Sequence, residues 1–410
     1  MSKGTVLSGM RPTGKLHIGH LSVLENWAKM QDDYNCYFMV ADLHSLTTKY
    51  DDTANMHEDT RQMVLDWLGA GIDPVKSAVF VQSSVKEHAE LHLYLSMNIP
   101  LSWLERCPTY KDQVAQFGKQ GKDITTYGFL GYPVLMASDI LLYLSDTVPV
   151  GEDQLPHLEM SREIARRFNF LYQTDLFPEP KALLGRFPLV PGVDGRKMSK
   201  SYANDIAISA TSEEVKKRTN AMVTDPGRVR LEDLGNPENC IVNKYQEIYN
   251  GELLDLAQKA CRTATRGCVK CKKDIYLVIE EMLEPIRRRK AHYENGTYDD
   301  LREYLQKLNN LEAAVNNLQE AGTLDDTPVT EKFDIFWKNS GRKDKELLKQ
   351  HGQSVIADYK AGAITLNDVQ SLLDARFDFI NLILIKGNER ARKTAAETIN
   401  KARAAMNLRF

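Results

Sequence analysis

Long apolar runs are missing from this 410-residue chain. The most apolar stretch, "FLGYPVLMASDILLYL" (Phe129 to Leu144), is too short to span a bilayer and is interrupted by Asp139. The opening residues, "MSKGTVLSG", lack both the apolar core of a secretion signal and the Arg-rich amphipathic pattern of an organelle signal. A cytoplasmic location with no membrane partner is therefore expected. Excess charge of one sign is also missing: the formal net charge is −3, which excludes a globally basic polyanion binder and leaves room only for a local nucleic-acid surface. One local imbalance exists, since Lys386 to Phe410 carries seven Lys/Arg against two Glu. Cysteine is the third scarcity. Of six, four lie at 240, 261, 268 and 271, three of them within "ACRTATRGCVKC". In a reducing compartment such clustering fits metal or redox chemistry better than disulfides.

What the chain does have is order along its length. "TVLSGM", "CYFMVADLHSLT", "SAVFVQSS" and "DTVPVGEDQ" are short strand-like runs that end in glycine or polar residues, and "ANMHEDTRQMVLDWLGAGI" between the second and third has helical periodicity. Alternation of this kind over roughly the first 200 residues predicts an α/β domain with a doubly wound parallel sheet. Ligands bind beyond the carboxyl ends of such strands, which singles out Arg11 to His20, His44 and Gly151 to Gln154. From about Ser212 the strand-like runs vanish and helical patterns follow to the end, broken at "TLDDTPVTEKFD". The length suits two or three domains.

"GMRPTGKLHIGH" (Gly9 to His20) follows the first strand and runs into a helix. Its glycines let backbone approach a ligand, and a helix N-terminus favours an anion. Taken alone it is a tight turn, and it lacks the phosphate-loop pattern. Far downstream, "GRKMSKS" (Gly195 to Ser201) taken alone is a solvated basic turn. Together, "HIGH" at His17 to His20 and "KMSKS" at Lys197 to Ser201 resemble the paired motifs of the class I aminoacyl-tRNA synthetases. The chemistry is coherent with that resemblance, because attack of a carboxylate on the α-phosphate of ATP needs positioning and charge stabilisation more than covalent help. The resemblance implies that His17 and His20 bind phosphate in the transition state, and that Lys197 and Lys200 neutralise the departing pyrophosphate, with Mg²⁺ as the metal of ATP.

Tyr132, Met136 and Asp139 fall at i, i+4 and i+7 of "YPVLMASD", one face of a helix. The pattern alone describes a core helix with an aspartate at its polar edge. In a class I site this face lines the amino-acid pocket, where an aspartate accepts one hydrogen bond from an indole N–H or a phenol O–H. Related tyrosyl enzymes usually carry glutamine at the middle position. Met136 is instead a soft apolar residue suited to a flat ring, and the indole has one polar ring atom, a donor. Tryptophan is the expected substrate and tyrosine the runner-up. A small-molecule adenylylating enzyme is disfavoured by the helical C-terminal third, and a non-catalytic tRNA-binding paralogue by the retention of His17, His20, Lys197, Lys200 and Asp139 together.

The chain here resembles the bacterial-type tryptophanyl-tRNA synthetases, through "NCYFMVADLHSLT", "LMASDILLY", "VPVGEDQLPHLE", "AMVTDP" and "GNERARKTAAETINKARAAMNL". The match is strong to about Pro237, weaker through Tyr304, and returns from Lys386. It implies a Rossmann-like catalytic domain at 1–205 and an α-helical anticodon-binding domain at 206–308 plus 386–410. ATP would lie among Arg11, Pro12, Thr13, Gly19 and His20, among Gly151, Glu152 and Asp153, and against Leu189. The downstream loop would add Lys197, Met198, Ser199, Lys200 and Ser201. Gly9, His44, Tyr132, Met136, Asp139 and Gln154 would surround L-tryptophan, and tRNA(Trp) would be the acceptor. A homodimer is implied, with the interface on about 83–131. Two departures stand out. "RPTG" and "HIGH" replace the commoner "QPSG" and "TIGN", which points to the branch resembling thermophile enzymes. A helical insertion of unknown role occupies 309–385.

The four clustered cysteines, Cys240, Cys261, Cys268 and Cys271, read C-x20-C-x6-C-x2-C. Four thiolates suit tetrahedral zinc, although structural zinc usually shows paired CxxC knuckles and one pair is present here. They also suit a [4Fe–4S] cluster, and spacing does not choose. Some members of the "HIGH" branch carry a similar pattern, two residues longer in the first loop, and hold such a cluster in the anticodon domain. The resemblance therefore implies a [4Fe–4S] cluster, with Zn²⁺ as the alternative.

Overall fold

All four strand-like runs form strands. The computed structural model describes residues 2–119, 121–184, 189–316 and 325–408. Its sheet has five parallel strands in the order β3-β2-β1-β4-β5, where β1 is Thr5–Met10, β2 Asn35–Val40, β3 Ala78–Val81, β4 Thr147–Val150 and β5 Lys181–Leu184. β5 carried no sequence signal: "KALL" is four residues long, begins with lysine and is nowhere fully buried. β2 is buried from Cys36 to Val40, as a central strand covered on both faces must be. Its alternate residues serve two cores. Cys36, Phe38 and Val40 join Trp27 and Trp67 on one face; Tyr37 and Met39 join Phe80 and Tyr143 on the other. This is the expected Rossmann-like architecture. The chain winds β1 to β2 to β3 in one direction and then returns to β4 beside β1, so the crevice for a ligand opens at the carboxyl ends of β1 and β4.

The remainder is helical among the described residues. Helices Ser212–Asn220, Ile241–Tyr249, Leu254–Arg262, Cys268–Glu294 and Tyr298–Asn316 precede Thr327–Asn339, Arg342–Lys360 and Leu366–Asp374. No described helix is long and apolar enough to cross a membrane.

The terminal helix differs from expectation. Phe379–Ala405 is one continuous helix, so the boundary placed at 385/386 falls inside it. Its C-terminal part packs on the catalytic sheet, where Ala391, Ala395, Ile399 and Ala402 join the core with Tyr37 and Phe80. These four lie on one face at helical spacing. The helix also covers the edge strand β3, whose Val81 N–H donates to Asn388 Oδ1 at 2.9 Å. Gly387 crosses the backbone of Val79 so closely that a methyl group there would collide with it. The basic excess of this segment is largely consumed internally. Lys386 pairs with buried Asp368 at 2.9 Å, Arg390 donates to the carbonyls of Pro74, Val75 and Ser77, and Arg403 pairs with Glu90. What read as a local polyanion surface is in large part a fastening to the sheet.

Candidate active site

A cavity of about 520 Å³ opens between the carboxyl ends of β1 and β4. Gly9 forms part of its floor, because a Cβ there would sit 2.8 Å from the Met39 carbonyl oxygen. Tyr132, Met136 and Asp139 project into it from one face of the helix Tyr132–Leu142, as their spacing requires, and Arg11, His44, Gly151 and Gln154 also line it.

Asp139 is 2% exposed and heavily bonded. Oδ1 accepts from His88 Nδ1 at 2.7 Å and Gln82 Nε2 at 2.8 Å; Oδ2 is 2.9 Å from both His44 Nε2 and Gln82 Nε2. Burial alone would raise its pKa, but the bonds from His44 and His88 hold it down at about 2. It is therefore ionised across the physiological range. His88 bridges Asp139 to Tyr143, its Nε2 lying 2.8 Å from the phenol oxygen. Gln82, His88 and Tyr143 escaped sequence reasoning. Gln82 follows β3 directly, so the rule that flagged polar residues after strands would have found it. His88 and Tyr143 lie within helical stretches and carried no such signal. At the start of the same helix Tyr132 lies 3.1 Å from His157 Nε2 and stacks on Phe129. Burial, more than the neighbouring Cys107, raises the phenol's pKa and keeps it protonated.

The first motif follows Arg11, which lines the cavity; His17 and His20 are not themselves among the lining residues. Leu16 and Ile18 pair with the segment after "KMSKS", through Ile208 N–H to Leu16 O and Ile18 N–H to Ile206 O, both at 2.9 Å. The rings of His17 and His20 have centroids 4.0 Å apart. Burial, then the nearness of His20 and Lys200, depresses the His17 pKa to about 3, and burial lowers that of His20. Both are neutral at pH 7, and among the described residues His17 Nδ1 is buried without a hydrogen-bond partner, an orphan suited to a ligand.

The second motif reaches the first. Lys200 Nζ donates to the carbonyl oxygen of Thr13, across 187 positions of sequence. Gly14 makes that turn with φ +74°, a conformation glycine adopts without strain. Met198 is buried in the core and anchors the loop, while Ser199 Oγ accepts from Ser201 N–H. Asn204, unflagged in the sequence, pins the loop by bonds to Ser199 N, Lys197 O and Asp194. Lys197 is exposed. Pro12 and Thr13 lie on the loop after β1, and Gly19 in the short helical turn Ile18–His20. Glu152 is exposed on the turn Glu152–Gln154; Asp153 shares that turn, and its side chain lies outside the described set. Leu189 is 80% exposed and stands apart from the cavity lining.

The family described as tRNA synthetases class I (W and Y) matches residues 2–284. The tryptophan–tRNA ligase of Thermotoga maritima is 53% identical over 285 residues, 68% of this chain and 86% of that one. The chain belongs to the tryptophanyl-tRNA synthetases. The synthetase of Aquifex aeolicus is 43% identical over 359 residues, 70% of this chain and 91% of its own. A solved tryptophanyl-tRNA synthetase of Campylobacter jejuni, complexed with ADP and tryptophan, superposes with a TM-score of 0.68 at 27% identity and covers 98% of this chain and 99% of that one. Its family makes this synthetase a class I ligase.

The synthetase's cysteine cluster forms a second, smaller site. Cys240, Cys261, Cys268 and Cys271 line one pocket of about 30 Å³, and all four are free thiols. Cys240 precedes the helix Ile241–Tyr249, and Cys268 and Cys271 occupy the first turn of Cys268–Glu294, positions where the helix dipole favours a thiolate. Burial raises the pKa of Cys261 and Cys271, with Arg228 opposing it at the first and Arg266 at the second. Gathering four thiols in one pocket fits a metal group by donor chemistry. Their present arrangement does not: among the described residues no three His, Cys, Asp or Glu side chains are placed to hold a metal ion.

Proposed function

We propose that the chain activates L-tryptophan with ATP and transfers it to tRNA(Trp). The amino-acid carboxylate attacks the α-phosphorus of ATP and pyrophosphate leaves; a hydroxyl of the tRNA 3′ ribose then attacks the acyl carbon and AMP leaves. The observation that carries this reading is Asp139. A carboxylate held ionised in a wall that Met136, Phe129, Val150 and Trp27 share with His44, Tyr132, Gln154 and His157 accepts the single donor of an indole, and Met136, at the middle position of the same helix face, offers no second polar group for a phenol. Arg11, His17 and His20 line the way to the reacting phosphate, with neutral imidazoles donating N–H bonds as charge develops. Lys197 and Lys200 meet the pyrophosphate, and Gly151, Glu152 and Asp153 receive the rest of the nucleotide, while Gln154 faces the amino acid. Mg²⁺ would neutralise the phosphates of bound ATP.

The helices after residue 206 would receive the anticodon loop, whose unstacked bases are the readable part of tRNA. Cys240, Cys261, Cys268 and Cys271 would hold a [4Fe–4S] cluster that braces those helices; the pocket, about one water molecule in volume, has to widen to admit it, whereas a single Zn²⁺ needs less. The chain would act as a cytoplasmic homodimer through the segment 83–131, which exposes Met97, Leu101 and Tyr127. Tryptophan-dependent exchange of pyrophosphate into ATP tests the activity. Exchange driven by tyrosine instead, or none with either amino acid, overturns it.

A further inference from the structure

A buried ion pair links the helical half of the molecule to the first motif. Asp66 and Lys290 are 0% and 7% exposed, and Lys290 Nζ lies 2.8 Å from Asp66 Oδ1. The other carboxylate oxygen, Oδ2, accepts the N–H of Leu16 at 2.6 Å, and Leu16 immediately precedes His17. Lys290 also donates to Gln62 Oε1 at 3.1 Å and to Ser209 Oγ at 3.3 Å. Neighbouring cations on the same helix grip the same region: Arg289 donates to the Gly69 carbonyl at 2.7 Å and Arg287 to that of Ala210 at 3.0 Å. The helices meet closely at Gly69, where a Cβ would lie 2.9 Å from the Ile286 oxygen. Both backbone groups of Leu16 are thus fixed, its N–H by Asp66 and its carbonyl by Ile208. The elements that fix them are themselves tied to residues 286–290.

Burying two charges is costly, and well-packed apolar residues commonly serve stability as well. What an apolar pair cannot supply is a strong acceptor for the Leu16 N–H, held at one point. A displacement of about 1 Å in a phosphate-binding loop suffices to slow chemistry severely. We propose that Asp66 and Lys290 are positioning residues for His17 and His20, with Lys290 fixing the carboxylate that sets where the motif begins. The inference rests on the assignment of those histidines to the reacting phosphate.

The molecule contains its own control. Asp368 and Lys386 form a second buried pair, 2% and 7% exposed and 2.9 Å apart, between the helices Leu366–Asp374 and Phe379–Ala405, with no bond to the motif. The test compares D66N, K290M and D66N/K290M with D368N and K386M in the full-length protein. It reads kcat and KM of tryptophan-dependent pyrophosphate exchange, tryptophan affinity by fluorescence, and Tm. D66N and the double variant should lose about 10- to 100-fold in kcat with tryptophan affinity within about twofold. The double variant, which leaves no charge unpaired, should fold even if K290M does not, and should be no slower than D66N. The control variants should lose Tm but keep kcat within about twofold. Unchanged kcat in D66N, or an equal fall in D368N at matched Tm, overturns the proposal. H17A separates the two readings: a fully active H17A sinks the histidine assignment, whereas a slow H17A beside a normal D66N sinks only the role of the ion pair.

Discussion

The cavity at Asp139 and the pocket at Cys240 are both concentrations of reactive side chains, and they are organised in opposite ways. Around Asp139 every donor is aimed: Gln82, His44 and His88 converge on two oxygens, and Tyr143 backs His88. Around the cysteines the order is looser. Arg228 bonds the carbonyls of Arg266 and Leu231 and also the Cys261 thiol, and among the described residues no three thiols are placed to hold a metal ion. A site whose geometry is complete in the protein alone is preorganised for a passing substrate. A site that gathers donors without ordering them is one whose occupant would supply the order. The first should therefore fail abruptly when one atom is removed, the second by degrees.

The largest effect is expected at Asp139. D139A leaves His44, His88 and Gln82 without their acceptor and the indole N–H without a partner, so kcat/KM for tryptophan in pyrophosphate exchange should fall by about 10⁴-fold. Normal activation by this variant would mean that the cavity is not the amino-acid site. Next come H17A and K197A, for which kcat should fall by about 10²- to 10³-fold while tryptophan affinity holds, read from exchange kinetics beside equilibrium binding. At the cysteine pocket the response should be graded. Protein purified without oxygen should be brown if the thiols hold iron and sulfide, and C268S should bleach it. Charging of tRNA should then weaken by about tenfold and pyrophosphate exchange by less than about twofold. Equal losses in both assays would erase the contrast between the sites, and colourless protein with one zinc per chain would replace the cluster.

The smallest effect is on pH. His17, ordinarily 6.5, is held down to about 3 by burial, His20 and Lys200. The unfolded chain therefore binds a proton there that the folded chain refuses. Its contribution to stability is complete above about pH 6.5 and declines as pH falls toward 3. H17Q should lose less Tm than the parent across that window, and parallel Tm curves would contradict the burial of the imidazole.

How much of this was legible in the chain follows from the range over which each signal acts. β1 to β4 showed themselves as apolar runs closed by glycine or polar residues, and Tyr132, Met136 and Asp139 by helical spacing; both are local patterns. His88 and Tyr143 were invisible because each is explained only by a partner 51 or 55 positions away. Lys290 was concealed by composition. In "RRRK" it reads as one more solvated cation, yet Arg288 and Arg289 before it are exposed and Lys290 is buried against Asp66. Residues 386–410 misled for the same reason, since a run of lysine and arginine looks identical whether it faces solvent or the carbonyls of residues 74–77. The chemistry of the first and second motifs was readable as residue types, but their meeting, Lys200 on Thr13, belongs to the fold alone.

The helix that covers β3 also sets a schedule for making the protein. Val81 and its partner Asn388 are separated by 307 positions. At about 5–20 residues per second, β3 leaves the ribosome roughly 15 seconds to a minute before its cover exists. Throughout that interval the edge of the sheet offers bare N–H and C=O groups to any passing strand, and the apolar face awaiting Ala391, Ala395 and Ile399 stays open. The half that holds the sheet, first in the sequence, is thus among the last parts to be finished. A nascent chain stalled within the helical half would carry both motifs and still present an unsealed sheet, a natural target for chaperones.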